Sequence, residues 1–309
     1  MAKNKQKGSA KPQPKAQESE EQSVFIKPKK TLYSMFFKRF FDVILSFLAI
    51  IILSPLFILT WIFHKIFIGG GSALFVQYRP GKNGKIFKLY KFRSMTNKKD
   101  KDGNLLPDKD RITWFGKLIR KLSIDELPQL FNILKGDMSI VGPRPRMIKD
   151  VIFYDADALS TYSVKPGLTG LDQVSGGRNA SSWEQTFEID RKYMQKITFF
   201  GDLWIILKTP FAMFGGAEGG AEVGGKGLYK DYLLRNGKIT QEQYDLGTSL
   251  AKQLENGKSV LTYQPQLQGS APQQEYANAA IDGADKTIYN AAPSSAGSAN
   301  EPGEPLAAK

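Results

Sequence analysis

VILSFLAIIILSPLFILTWIF, Val43 to Phe63, contains no ionisable group. It is long enough for a membrane helix, and the fold class turns on how it is read. It starts too far into the chain for a secretory signal and lacks a small-residue cleavage pattern. Two features argue against a plain crossing. Ser54-Pro55 falls in its middle, where proline removes a backbone donor and crowds the preceding turn. Positive charge also lies on both flanks, with Lys38 and Arg39 before it and Lys65, Arg79, Lys82, Lys85, Lys88 and Lys91 after it. The asymmetry that orients a crossing helix is therefore missing. A helix–break–helix hairpin that turns at Ser54-Pro55 and leaves on the side it entered accounts for both features. The Ser54 hydroxyl is then a candidate partner for a backbone group freed by the proline, and Asp42 sits at the interface or pairs with Arg39. A single crossing helix with a tolerated proline is the alternative.

The rest of the composition narrows the chemistry. Among 309 residues, Lys and Arg outnumber Asp and Glu by 43 to 30, a formal charge of +13. Such an excess suits an anionic membrane surface, a phosphate-bearing substrate or nucleic acid. With no zinc-finger or RRM pattern, nucleic acid is the least favoured partner. There is no cysteine and one histidine, His64. That excludes disulfides, thiolate nucleophiles, His-dependent triads and multi-His metal sites, and fits a reducing compartment. Acid, base, nucleophile and metal ligand must come from Asp, Glu, Lys, Tyr, Ser or Thr.

Organisation follows from where the apolar residues stop. Residues 1–33 read as a flexible basic tail and 264–309 as a disordered one, both poor in large apolar groups. Between them lie the membrane helix (34–68), a compact domain (69–215), and a linker with short helices (216–263) in which no chemistry is visible. Alternating aromatic and basic residues around Asn83-Gly84 predict a β-hairpin. Arg111 to Leu122 reads as a basic amphipathic helix, with Ile112, Phe115, Leu118, Ile119 and Leu122 on one face and Trp114 at its edge. Such a helix suits a membrane surface or a protein core. Helices are expected around 147–160 and from Ser182 to Gln195. The apolar FFGDLWIILKTPFAMFGG, interrupted by Asp202, Lys208 and Pro210, reads as a second membrane-surface helix. The fold class expected is α/β, mostly α.

One stretch stands out in this basic setting: RKLSIDELPQL, Arg120 to Leu130, sets Asp125 and Glu126 side by side. Ser123-x-x-Glu126 matches a capping box, with both acids in a first helical turn and Pro128 near its start. The same acids could instead do chemistry. Adjacent helical residues point about 100° apart, so one carboxylate could attack while the other holds a metal ion. Arg120, Lys121, Arg144 and Arg146 would attract an anionic substrate, Arg144 being fixed between Pro143 and Pro145. A carboxylate can attack phosphorus to form an acyl phosphate, and Mg²⁺ eases attack on a diphosphate.

KRFFDVILS, LSPLF, QYRPGKNGKIFKLYKFRSM, RKLSIDELPQLFNILKGDMSIVGPRPR, VKPGLTG and GGRNASSWEQTFEID occur in that order over roughly residues 34–212. Together they resemble the bacterial sugar transferases, monotopic phosphoglycosyl transferases that act on polyprenyl phosphate. The resemblance implies a re-entrant helix broken at Ser54-Pro55 and membrane-surface helices around a compact cytosolic domain. It implies Asp125 as nucleophile, Glu126 as the residue associated with Mg²⁺, and Arg120 at a phosphate. Pro143, Arg144 and Pro145 would lie near the nucleotide. Arg178, within Gly177 to Ala180, would meet the donor, and Lys91 and Arg93 of KFRSM would lie on the site floor. The implied reaction attaches a phosphosugar from a UDP-sugar to Asp125, releases UMP, and passes the phosphosugar to polyprenyl (undecaprenyl) phosphate. The setting implied is the bacterial inner membrane, facing the cytoplasm, with membrane lipids and downstream glycosyltransferases as partners. GGRNASSWEQ is similar to subfamilies that use N-acetylated hexosamines or bacillosamine, with galactose and glucose donors left open. Two other classes would use these residues differently. They are a membrane-anchored interaction protein, for which the acids are only a cap, and a conventional glycosyltransferase that releases UDP.

Overall fold

The computed structural model describes residues 28–175, 182–214, 227–255, 260–262 and 264–267. Most of both tails, the glycine-rich stretch 215–226 and the loop 176–181 lie outside the described residues.

A π-helical turn, Tyr33–Phe37, leads into α1 (Lys38–Phe67). Among the described residues this is the one helix long and apolar enough to cross a membrane. Its polarity is inverted relative to a helix of a water-soluble core. Asp42, Ser46, Thr60 and His64 are buried, while Phe40, Ile52 (73% exposed), Ile58 and Ile66 face outward. The buried positions recur at helical spacing, and Ala49, Ile50, Leu53 and Phe57 fill the stripe between them. One face of α1 therefore follows the folded body along its length, and the others offer apolar side chains to the surroundings.

The helix is not split at Ser54-Pro55, contrary to the expected helix–break–helix. Pro55 lies inside a continuous helical assignment. The physical reason is local. Proline deprives the Ile51 carbonyl of its i+4 donor, and the Ser54 hydroxyl donates to that carbonyl at 2.8 Å. Nor does Asp42 pair with Arg39. Its carboxylate accepts from the Ser139 hydroxyl (3.0 Å) and the Ile140 amide (2.8 Å), while Arg39 donates to the carbonyls of Ile133 and Leu134. Asp42→Ala leaves two donors unmet at a buried junction and is expected to cost about 2 kcal/mol. A thermal midpoint in lipid nanodiscs equal to that of the wild type would contradict this.

The expected hairpin is present. β1 (Leu74–Pro80) pairs antiparallel with β2 (Ile86–Phe92), from Leu74 opposite Phe92 to Pro80 opposite Ile86. Asn83 and Gly84 close it with φ of 56° and 69°, left-handed values these residue types accept most readily. The amphipathic segment is divided. α2 (Asp108–Arg111) ends before Ile112, which bridges to Met95, and α3 (Trp114–Lys121) begins on the Thr113 side chain, which accepts from the Gly116 amide. Only Phe115 and Ile119 of the apolar set on α3 are buried. Leu118, Leu122 and Trp114 (60% exposed) face outward.

α4 (Gln129–Lys135) follows, then β3 (Ser139–Val141), α5 (Ile148–Val151) and α6 (Ala156–Ser160). The last two replace the single helix expected around 147–160. β4 (Gly167–Thr169) pairs parallel with β3. After α7 (Leu171–Val174), α8 (Trp183–Gln195) starts on the Ser182 hydroxyl, which accepts from the Gln185 amide. α9 (Phe199–Phe214) repeats the inverted pattern, with Asp202 and Ile205 inward and Phe200 (79% exposed), Leu207 and Phe211 (76%) outward. Asp202 accepts from Lys38, Tyr33 and Tyr193, joining α9 to the start of α1.

The two short helices expected near the end are α10 (Tyr229–Arg235) and α11 (Gln241–Leu254). They are more than an appendage. Tyr229, Leu233, Ile239, Ala251, Leu261 and Leu267 share the largest core with α5, α6 and α8.

Candidate active site

Asp125 and Glu126 sit on one 3₁₀ turn, Ile124–Glu126, between α3 and α4. The capping box does not form. Ser123 is left-handed, with φ 53° and ψ 22°, and its side chain caps nothing. A non-glycine residue held there stores strain that the surroundings must sustain. The turn sends the two acids into different settings, as the chemical reading of the pair requires.

Glu126 Oε1 accepts from Arg144 Nη2 at 2.8 Å and from Lys91 Nζ at 3.4 Å. Burial pushes the Glu126 carboxyl up, but Arg144 and Lys91 outweigh it and hold the group down at about 2. Asp125, 8% exposed, makes no such ion pair among those described. Burial and the charge of Glu126 raise it to about 6 against the pull of Lys91, Arg120 and Arg144. Two adjacent carboxyls thus differ widely in proton affinity, the arrangement that separates their roles.

Each cation is carried by a different element. Lys91 comes from β2. Arg120 comes from the last turn of α3 and is steadied by donating Nε to the Ser94 hydroxyl at 2.7 Å. Arg144 comes from the loop after β3. That loop is clamped to β4, as the Gly142 amide donates to Thr169 O and the Gly167 amide to Pro143 O, both at 2.9 Å. A Cβ on Gly142 would come within 2.5 Å of the Lys165 carbonyl oxygen, so only glycine permits the approach that fixes Pro143, Arg144 and Pro145. Arg146 pairs with Asp172 at 3.0 Å and lies over the Trp183 ring.

Lys91 and Arg144 also line a cleft of about 430 Å³ that opens beside the acid pair. Arg79, Arg146, Asp150 and Trp183 contribute to its wall. Four cationic side chains and one acid line it, so the cleft is strongly electropositive,. The cleft suits an anion, and it meets the acid pair through Lys91 and Arg144, which line the one and pair with Glu126 of the other.

The sequence-predicted residues are partly assembled. Lys91, Arg120, Asp125, Glu126 and Arg144 come together. Arg93 does not join them: it donates to Ser72 O and to Asn97 Oδ1, near the exit of α1. Arg178 lies outside the described residues. Sequence reading missed Ser94, Arg79, Asp150 and Trp183 as parts of the site. Ser94, Arg79 and Trp183 had a signal, their places inside the quoted motifs KFRSM, QYRPGKNG and GGRNASSWEQ, whereas Asp150 meets the cleft through tertiary contacts alone. For Mg²⁺, two adjacent carboxylates beside a phosphate-sized cleft suit an ion that commonly takes one or two carboxylates and substrate phosphates. Among the described residues no cluster of three or more acidic or histidine ligands exists.

A family model described as bacterial sugar transferase matches residues 33–216. The uncharacterized sugar transferase EpsL of Bacillus subtilis is 47% identical over 175 residues, 57% of this chain and 86% of that protein. An undecaprenyl-phosphate galactose phosphotransferase of Salmonella typhimurium is 42% identical over 194 residues, 57% of this chain and 40% of the relative. The exopolysaccharide production protein ExoY of Sinorhizobium fredii is 42% identical over 189 residues, 56% of this chain and 83% of the relative.

Proposed function

This chain belongs to the bacterial sugar transferase family, and from that premise we propose that it moves a sugar 1-phosphate from a UDP-sugar to polyprenyl phosphate through Asp125. The observation that carries the reading is the split acid pair. Glu126 is ion-paired to Arg144 and Lys91, which hold its carboxyl low, while burial and the Glu126 charge push the adjacent Asp125 up beside a cationic cleft.

In the first step an Asp125 oxygen attacks the β-phosphorus of the donor. The bond from that phosphorus to the bridging oxygen breaks, and UMP leaves with the oxygen. An acyl phosphate carrying the sugar remains on Asp125. In the second step an oxygen of polyprenyl phosphate attacks the same phosphorus. The bond to Asp125 breaks, the carboxylate is regenerated, and polyprenyl diphosphate-sugar departs. Lys91, Arg120 and Arg144 hold the phosphates in line and stabilise their growing charge. Glu126, together with the donor phosphates, is the residue that would hold Mg²⁺, which when bound offsets the charge that makes a diphosphate resist attack.

The acceptor is a lipid, so the site must work at a bilayer surface. Both ends of α1 return to the same folded body, one through Asp42 and Arg39, the other through Phe67 against Trp114. A continuous α1 held to the body at both ends and along one face is compatible with lying in one leaflet beside it, without a break at Ser54-Pro55. The outward apolar residues of α3 and α9 support shallow insertion beside it. The setting proposed is the bacterial inner membrane, with the catalytic body in the cytoplasm, at the start of exopolysaccharide or capsule assembly. The Salmonella relative's name specifies galactose, so galactose belongs in the donor panel beside the N-acetylated sugars. With Mg²⁺, polyprenyl phosphate and that panel, the expected nucleotide product is UMP, and intact-mass analysis without acceptor shows the phosphosugar adduct. Release of UDP would assign the chain to conventional glycosyl transfer instead.

A further inference from the structure

Residues 227–255 and 260–262 lie wholly beyond the matched segment, 33–216, yet they grip three walls of the cleft. At the first wall, Asp150 of α5 lines the cleft and is 3% exposed. Its Oδ1 accepts from the Tyr229 amide at 2.9 Å, and its carboxylate also meets the Lys230 amide. Asp150 therefore sits on the first amides of α10. Behind it, Gly247 of α11 lies against Phe153, so closely that a Cβ would come within 2.2 Å of the ring.

At the second wall, Trp183 of α8 packs edge-on against Tyr229, with ring centroids 5.2 Å apart. The next residue, Glu184, accepts from Tyr232 Oη at 2.6 Å and Lys238 Nζ at 3.0 Å. The third wall is the hairpin that carries Arg79 and Lys91. Its turn is held by Leu261, whose amide donates to Gly84 O at 2.8 Å, and by a bridge between Val260 and Lys85. A Cβ on Gly84 would come within 2.1 Å of the Leu261 carbonyl oxygen, so glycine serves here both the turn and the clamp.

We infer that residues 227–255 and 260–262 act as a positioning clamp for the donor cleft, setting the spacing of Arg79, Asp150 and Trp183 and with it the affinity for the nucleotide part of the donor. The inference rests on the proposed function. The clamp reaches the acid pair only at one remove, through the hairpin that carries Lys91, whereas it holds Asp150 and Trp183 directly, so its main effect falls on donor binding.

The test uses the full-length enzyme in nanodiscs, with UMP and UDP as probes. Gly247→Val drives a side chain into Phe153, and Gly247→Val/Phe153→Leu removes the ring tip that it strikes. Tyr232→Phe/Lys238→Met releases Glu184 at an exposed place where folding is not at stake. Gly247→Val is expected to weaken UMP and UDP binding and to raise the donor KM by about tenfold, with restoration in the double variant. Tyr232→Phe/Lys238→Met is expected to shift the same quantities by about threefold. The polyprenyl phosphate KM stays within about twofold of wild type throughout. Unchanged nucleotide binding in both weakened variants overturns the clamp, as does a failure of Phe153→Leu to rescue or a parallel rise in the acceptor KM. A wild-type enzyme that binds neither UMP nor UDP removes the donor reading itself, and the clamp with it. A wild type that binds them as tightly as its variants do removes the clamp alone.

Discussion

Asp125→Asn is expected to stop turnover, lowering kcat by roughly three orders of magnitude or more, because an amide cannot supply the attacking oxygen of a covalent relay. The adduct seen by intact mass should vanish with it. Folding should survive. Asp125 makes no ion pair among those described, and its raised proton affinity means that burial of its charge opposes the folded state,. UMP should still bind, since Arg79, Arg146 and Trp183 are untouched. Near-normal turnover with the adduct absent would take the nucleophile role away from Asp125. Loss of nucleotide binding would show that the substitution had damaged the cleft.

Glu126→Gln should have the second largest effect, roughly a hundredfold loss in kcat, and it should also move the pH profile. Only the Asp125 carboxylate attacks, and its proton affinity is raised to about 6 by burial and by the neighbouring Glu126 charge. The rate of adduct formation in the wild type should therefore fall as pH drops through about 6. Replacing Glu126 removes one of the two causes of that rise and leaves Lys91 and Arg144 more available to Asp125. The acidic limb should then move to lower pH even as the maximal rate falls. A limb that stays in place would mean that Glu126 does not act on Asp125 electrostatically. A limb that moves upward would contradict the arrangement of charges.

What the sequence reveals is what local chemistry controls. Asn83-Gly84 closes the hairpin because those residues accept left-handed backbone. Ser182 starts α8 because its hydroxyl meets an orphan amide. The apolar run of α1 is plain from hydropathy, and the role for the Ser54 hydroxyl follows from what Pro55 lacks. The misreadings arise where distant parts of the chain decide. Ser123 matches a capping box but is twisted left-handed, so the acids hang from a 3₁₀ turn that local pattern cannot foresee. Ile112 leaves the amphipathic helix to bridge Met95. Arg93 shares a motif with Lys91, yet it turns to Ser72 and Asn97. The segment after residue 227 gives no chemical signal of its own, since it contributes through the backbone amides that seize Asp150 and the rings that lean on Trp183. The cationic character of the site is legible as scattered Lys and Arg, but their convergence from β1, β2, α3 and the loop after β3 is a property of the tertiary fold.

The polar seam of α1 has a practical consequence. Asp42 satisfies Ser139 and Ile140, and Arg39 satisfies the carbonyls that end α4. Trimming the chain back to a water-soluble piece would therefore strip those groups of their partners and bare the underside of the body at the same stroke. Anchor and enzyme are therefore expected to melt in a single transition, and two separate transitions in nanodiscs would contradict this.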